Sequence, residues 1–78
     1  MTKQIVVYSS ANCGPCKTVK EYLTRKGIAF TVREVSEDEA ALRELVETYH
    51  SHQTPTIVIG GQVVVGFNRS RIDKLLDE

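Results

Sequence analysis

The chain has 78 residues, ten basic and ten acidic side chains, zero formal net charge and 41% hydrophobic residues. That is one small domain, and the zero balance argues against a protein that coats nucleic acid, which needs a basic excess. The longest apolar run, Ile5-Val6-Val7-Tyr8, is far below the roughly 20 residues of a membrane span and the roughly 7 of a signal peptide core. The expected setting is therefore a reducing cytosol. There, two cysteines placed close together are catalytic or metal-binding rather than a structural staple.

Residues 5–8 are apolar and rich in β-branched side chains, which predicts a strand buried on both faces. Residues 9–12 read as a loop, with Asn12 as a helix N-cap. Cys16, Val19, Tyr22 and Leu23 then form one apolar stripe of a helix that runs to Lys26. Gly27 stands where a C-terminal helix glycine belongs. Residues 28–35 predict a second strand, with Ile28, Phe30, Val32 and Glu34 on one face. Ser36-Glu37-Asp38-Glu39 reads as a capping box. It opens a helix with Ala41, Leu42, Leu45, Val46 and Tyr49 as the buried stripe, ending near His50.

Pro55 cannot continue a helix, and it pushes Thr54 toward extended geometry. Residues 56–59 and 62–65, joined by Gly60-Gly61, predict a tight hairpin. Gly66-Phe67 ends the last strand. Asn68 or Ser70 caps a final helix that turns Ile72, Leu75 and Leu76 inward. A helical crossover makes the first two strands parallel, and the tight turn makes the last two antiparallel. The fold class is α/β, a four-stranded mixed sheet with three helices in the order β-α-β-α-β-β-α, within a single domain over residues 1–78.

The charges are segregated. Residues 1–33 carry six bases (Lys3, Lys17, Lys20, Arg25, Lys26, Arg33) against Glu21, a net +5. Residues 34–49 carry six acids (Glu34, Glu37, Asp38, Glu39, Glu44, Glu47) against Arg43, a net −5. Folding that brings the halves together makes these ordinary solvated faces. An uncovered basic face beside the first helix would attract an acidic partner.

The chemistry lies in Cys13-Gly14-Pro15-Cys16. The motif follows a strand and opens a helix, the setting in which C-x-x-C is redox-active. At a helix N-terminus, unpaired N–H groups and the helix dipole favour a thiolate. Cys13 is thus the nucleophile that attacks a disulfide. Cys16, one turn in on the buried side, is the resolving thiol. Gly14 lets another chain approach closely, and Pro15 preorganises the first turn without losing a needed N–H. A zinc site normally needs four ligands. No third cysteine exists, and His50-Ser51-His52 lacks the usual histidine spacing, so both histidines read as polar loop residues. Tyr8, Tyr22 and Tyr49 read as core or half-buried residues rather than stacking platforms.

Three features together resemble the glutaredoxin-like members of the thioredoxin-fold superfamily over essentially the whole length. These are Cys13-Gly14-Pro15-Cys16 after the first strand, Thr54-Pro55 before the third, and Gly66-Phe67 before the last helix. The chain is most similar to small redoxins of the NrdH type, although its Cys-Gly-Pro-Cys is the thioredoxin motif. The resemblance implies a thioredoxin-like, glutaredoxin-type fold, with Pro55 cis against the cysteines. It implies that Thr54, Pro55, Gly66 and Phe67 contact the substrate, with the Thr54 backbone meeting an extended segment of it.

The implied activity is dithiol–disulfide oxidoreduction by a cytoplasmic monomer without a cofactor. The partners are a disulfide-containing client protein, ribonucleotide reductase being the client named for NrdH-redoxins, and thioredoxin reductase as the source of electrons. Residues 66–70 lack the acid pair with which glutaredoxins help hold glutathione, and Ser9-Ser10 replaces a lysine common before the first cysteine. A glutathione-dependent glutaredoxin is the alternative within the class. A metal or iron–sulfur module using Cys13 and Cys16 is the alternative outside it.

Overall fold

The computed structural model describes residues 4–77 and runs β1 (Ile5–Ser9), α1 (Gly14–Arg25), β2 (Thr31–Glu34), α2 (Glu39–Glu47), β3 (Thr56–Ile59), β4 (Gln62–Val65) and α3 (Arg69–Asp77). The strands lie in the order β2-β1-β3-β4. β1 pairs parallel with β2, placing Tyr8 against Arg33 and Ser9 against Glu34. It pairs antiparallel with β3, placing Val7 against Ile57 and Tyr8 against Thr56. β3 and β4 form the antiparallel hairpin. Gly60 and Gly61 supply its turn with φ of 54° and 87°, the positive values that such a two-residue turn requires.

Side-chain alternation along the strands divides the core in two. Ile5, Val7, Ile57, Ile59 and Val64 meet Val19 and Leu23 of α1 and Ile72 and Leu75 of α3. On the opposite face Tyr8 and Val58 meet Leu45 of α2, with Val6, Val35, Tyr49 and Val63 at the margin. One face is therefore covered by two helices and the other by a single helix of nine residues.

Four local expectations need correction. The N-cap of α1 is Cys13, whose backbone is extended, while Asn12 takes a left-handed φ of 58° in the loop before it. β2 starts only at Thr31; Ile28 and Phe30 pack on the core before the strand begins, and Val32 is 41% exposed. An edge strand covered by one short helix leaves such a side chain in water. The cap of α2 is Asp38, not Ser36: its Oδ1 accepts from the backbone N–H groups of Ala40 (3.0 Å) and Ala41 (3.2 Å). The buried stripe of α2 is accordingly narrower, holding Ala41 and Leu45, while Leu42 is 44% exposed.

Other signals stand. Gly27, at φ 73°, closes α1: its N–H bonds to the Thr24 carbonyl, and that of Ile28 bonds to Leu23, the paired pattern that satisfies the last carbonyls of a helix. Asn68 caps α3 through Oδ1 accepting from the N–H of Arg71 at 3.1 Å. The charged halves do come together, since Arg33 pairs with Asp38 (3.8 Å) and Glu44 (3.6 Å). Lys3 of the basic set lies outside the described residues. No described helix is long and apolar enough to cross a membrane.

Candidate active site

The loop that leaves β1 is tied down at both sides before it reaches the cysteines. Ser10 Oγ and Thr54 Oγ1 share a hydrogen bond of 2.7 Å. Ser36 Oγ accepts from the N–H of Ala11 at 3.2 Å and donates to Glu34 at 3.2 Å. The first bond joins the loop to the residue preceding Pro55, and the second joins it to the β2–α2 turn. The sequence named no partner for either serine, because a single hydroxyl in a loop has no periodicity to betray its partner; Ser36 read as a helix cap and instead ties the loop.

Cys13 is half-buried at the head of α1, and Cys16 is 1% exposed. The two form a disulfide with Cα atoms 5.3 Å apart. Cys13 Sγ accepts a hydrogen bond from the backbone N–H of Cys16 at 3.2 Å, so the sulfur occupies the capping role that an oxygen commonly fills. A donor already aimed at this sulfur favours its anion once the disulfide opens. Gly14 and Pro15 are exposed beside it. A Cβ at Gly14 would meet nothing within 4 Å, so this chain alone does not require a glycine there.

The Thr54–Pro55 peptide bond is cis. Thr54 is half-buried and Pro55 is buried. Thr56 Oγ1 donates to the Gln53 carbonyl and shares a 2.8 Å bond with Ser51 Oγ, which fixes the loop around the proline. Gly66, at φ 78°, donates its N–H to the Pro55 carbonyl at 2.7 Å. The structure thus ties Thr54 to Ser10 of the cysteine loop and joins two of the expected residues, Pro55 and Gly66, to each other.

Phe67 stands apart from that chain of bonds. It is 36% exposed and makes an edge contact with Tyr22, centroids 5.5 Å apart. Lys26 Nζ and the Arg69 guanidinium lie 5.3 and 5.5 Å from the Tyr22 ring centre, and the Tyr22 hydroxyl donates to Asp73. The Tyr22 hydroxyl first, with Lys26 and Arg69 adding, holds the Asp73 carboxyl below its ordinary range against an opposing effect of partial burial. Tyr22 is half-buried and packs on the core, within the sequence expectation; its contacts with Phe67 and Asp73 join α1 to α3 and the turn before it.

A cleft of about 530 Å³ opens beside Cys13 between α1 and the β2–α2 turn, with Lys17 and Lys20 on one wall and Glu34 and Glu37 on the other. Among the described residues no three His, Cys, Asp or Glu side chains gather as metal ligands. His50 and His52 are exposed in the loop before Thr54.

The glutaredoxin family model matches residues 5–64. A glutaredoxin-like 8.6 kDa protein in the rubredoxin operon of Clostridium pasteurianum is 38% identical, over 95% of this chain and 99% of its own length. The N-acetyl-S-hydroxy-L-cysteine reductase of Bacillus subtilis is 40% identical over 72% of this chain and 60% of its own. The crystal structure of the thioredoxin-like protein BC3987 superposes with a TM-score of 0.90 at 41% identity, covering 94% of this chain and 100% of that one. The glutaredoxin of Archaeoglobus fulgidus superposes at 0.81 with 26% identity, covering 97% and 88%.

Proposed function

Starting from a chain that belongs to the glutaredoxin family, we propose that it reduces protein disulfides through Cys13 and Cys16 and is recycled by thioredoxin reductase. The observation that carries this reading is the asymmetry of the pair. Cys13 is half-buried and its sulfur already faces an N–H donor, while Cys16 is sealed behind it.

In the dithiol state the Cys13 thiolate attacks one sulfur of the client disulfide. A mixed disulfide forms, and the client's other sulfur leaves as a thiolate that takes up a proton. The Cys16 thiolate then attacks Cys13 Sγ. The intrachain disulfide forms, the client's second thiol is released, and two electrons have passed to the client. Two electrons and two protons from the reductase system restore the dithiol.

Thr54, Pro55, Gly66 and Phe67 are the substrate-contacting residues of this reading. The Ser10–Thr54 and Gly66–Pro55 hydrogen bonds support it, because they join the cysteine loop, the proline loop and the β4–α3 turn. The protein acts as a cytosolic monomer, and the client is a disulfide-bearing protein, ribonucleotide reductase being the first to try.

NADPH oxidation in the presence of thioredoxin reductase and a disulfide protein tests the proposal. Turnover is expected with the wild type and should vanish in Cys13→Ser. Cys16→Ser should accumulate a mixed disulfide with the client. Turnover that needs glutathione instead, or a Cys16→Ser variant that stays fully active without a trapped adduct, would overturn the assignment of reductant or of roles.

A further inference from the structure

The antiparallel ladder between β1 and β3 sets Val7 against Ile57 and Tyr8 against Thr56. Carried on in the same register, it sets Ser9 against Pro55 and Ser10 against Thr54. The backbone ladder stops short of those rungs for a chemical reason. Pro55 has no N–H to give, and its carbonyl already accepts from the N–H of Gly66 at 2.7 Å. One rung further on, the pairing resumes through side chains. Ser10 Oγ and Thr54 Oγ1 share a hydrogen bond of 2.7 Å, and both residues are half-buried.

Among the described residues no other hydrogen bond reaches Thr54. The bonds that shape its loop run between Ser51, Gln53 and Thr56 and pass it by. Its own N–H and C=O make no backbone hydrogen bond among the described residues. A backbone rung from β1 would have occupied those groups. A side-chain rung fixes the residue and leaves its N–H and C=O to pair with an extended chain, as a sheet edge does. It also removes the cost of ordering Thr54 at the moment of binding.

We propose that Ser10 is a positioning residue that makes the protein selective for peptide disulfides over small ones: its bond to Thr54 preorganises the main-chain edge on which an extended client segment pairs. The idea deepens the reductase reading and rests on its contact between Thr54 and the client. Both classes of substrate share the chemistry at sulfur. In each, the Cys13 thiolate attacks, one thiolate leaves and takes up a proton, and Cys16 closes the intrachain disulfide with release of the second thiol. Only a peptide offers N–H and C=O groups to Thr54, so only a peptide gains from Ser10. The serine acts on binding and leaves the exchange itself unchanged.

Single-turnover oxidation of the dithiol protein, followed by acid quench and mass analysis, reads the effect without any reductase. The two probes are the symmetric disulfide of an uncharged peptide with a central cysteine, and 2-hydroxyethyl disulfide. Wild type should prefer the peptide disulfide about tenfold in second-order rate constant, on the order of what one or two main-chain hydrogen bonds supply. Ser10→Ala should raise the half-saturating peptide concentration about fivefold, on the scale of one neutral hydrogen bond. Its limiting rate should stay within about twofold, the pattern of lost binding rather than lost chemistry. Its rate with 2-hydroxyethyl disulfide should also stay within about twofold, because that probe has no main chain to pair. Thr54→Val keeps the backbone and the side-chain shape but removes the hydroxyl. It should reproduce the peptide defect, and adding Ser10→Ala to it should change nothing more. A Ser10→Ala protein that binds the peptide as wild type does, equal losses on both probes, or additive effects of the two substitutions would each overturn the proposal. A wild type with no preference for the peptide would overturn it together with the contact assigned to Thr54, whereas a preference that survives Ser10→Ala removes the Ser10 inference alone.

Discussion

Tyr8→Phe isolates one hydroxyl in the thinner half of the core. The Tyr8 ring is 1% exposed and packs against Tyr49 with centroids 5.7 Å apart, while its hydroxyl donates to Glu44, which also faces Arg33. Phenylalanine keeps the ring and its contacts, so only the hydrogen bond is lost. A bond to a charged group contributes about 1.5–3 kcal/mol. Glu44 is 40% exposed and can turn to water, which places the expected loss near the lower bound, about 1.5 kcal/mol, or about 6–12 °C in Tm for a chain of this size. Urea denaturation of the oxidised protein should show a lower midpoint with an unchanged m-value. A double-mutant cycle with Glu44→Gln should return a coupling of about 1 kcal/mol.

The alkaline limb gives a second readout of the same bond. Burial first, and then the Glu44 carboxylate, raise the Tyr8 pKa well above its ordinary 10.0. A group whose pKa is raised on folding contributes stability that is fully present below the unfolded value and is lost as pH climbs toward the folded one. Wild type should therefore lose stability above about pH 10, with a smaller loss in Tyr8→Phe. A neutral substitution, or a coupling below about 0.5 kcal/mol, would refute the account of this half of the core.

Asp38→Ala removes the acceptor for two backbone N–H groups at the head of α2 and should cost about 1 kcal/mol by thermal or urea unfolding. Asp73 is held below its ordinary value of 3.8 by the Tyr22 hydroxyl, Lys26 and Arg69. The stability tied to it is present above that value and lost as pH falls through the lowered one, so Asp73→Asn should flatten the acid limb of a Tm–pH curve. Lys17→Gln with Lys20→Gln should reduce turnover of an anionic disulfide such as dithiodiglycolate about two- to fivefold per charge removed, relative to neutral 2-hydroxyethyl disulfide. The difference should shrink at 0.5 M salt; equal losses on both substrates would refute selection by charge in that cleft.

The framework was legible in the sequence because its signals are local and repeated. The β-branched runs, the Gly60-Gly61 turn, Gly27 and the Cys13–Cys16 spacing each name their own geometry. What escaped was decided by neighbours distant in the chain. Asn12 and Ser36 both look like caps in sequence, but the Cys16 N–H turns to Cys13 Sγ, and Ser36 is drawn to Ala11 across the loop. Val32 and Leu42 fit apolar stripes, yet an edge strand and a nine-residue helix cannot bury them. At the site, the cysteines announced themselves through spacing, while the bond of Ser10 to Thr54 and the contact of Tyr22 with Phe67 became visible only once the loop and the α1–α3 contact were in place.

The strand order has a consequence for the chain as it is made. β1 sits inside the sheet, between β2 and β3, but β3 begins at Thr56, and all of α1, β2 and α2 is made before it. A nascent chain that has emerged only through α2 holds one parallel pair, and two strands alone are marginally stable in water. Its inner strand meanwhile presents an open row of N–H and C=O groups to any passing strand. The segment that closes this row is the same one that carries Thr54 and Pro55. Until it arrives, Cys16 lacks its finished sheet, so a cysteine able to exchange with the wrong disulfide is exposed for as long as the sheet is unfinished.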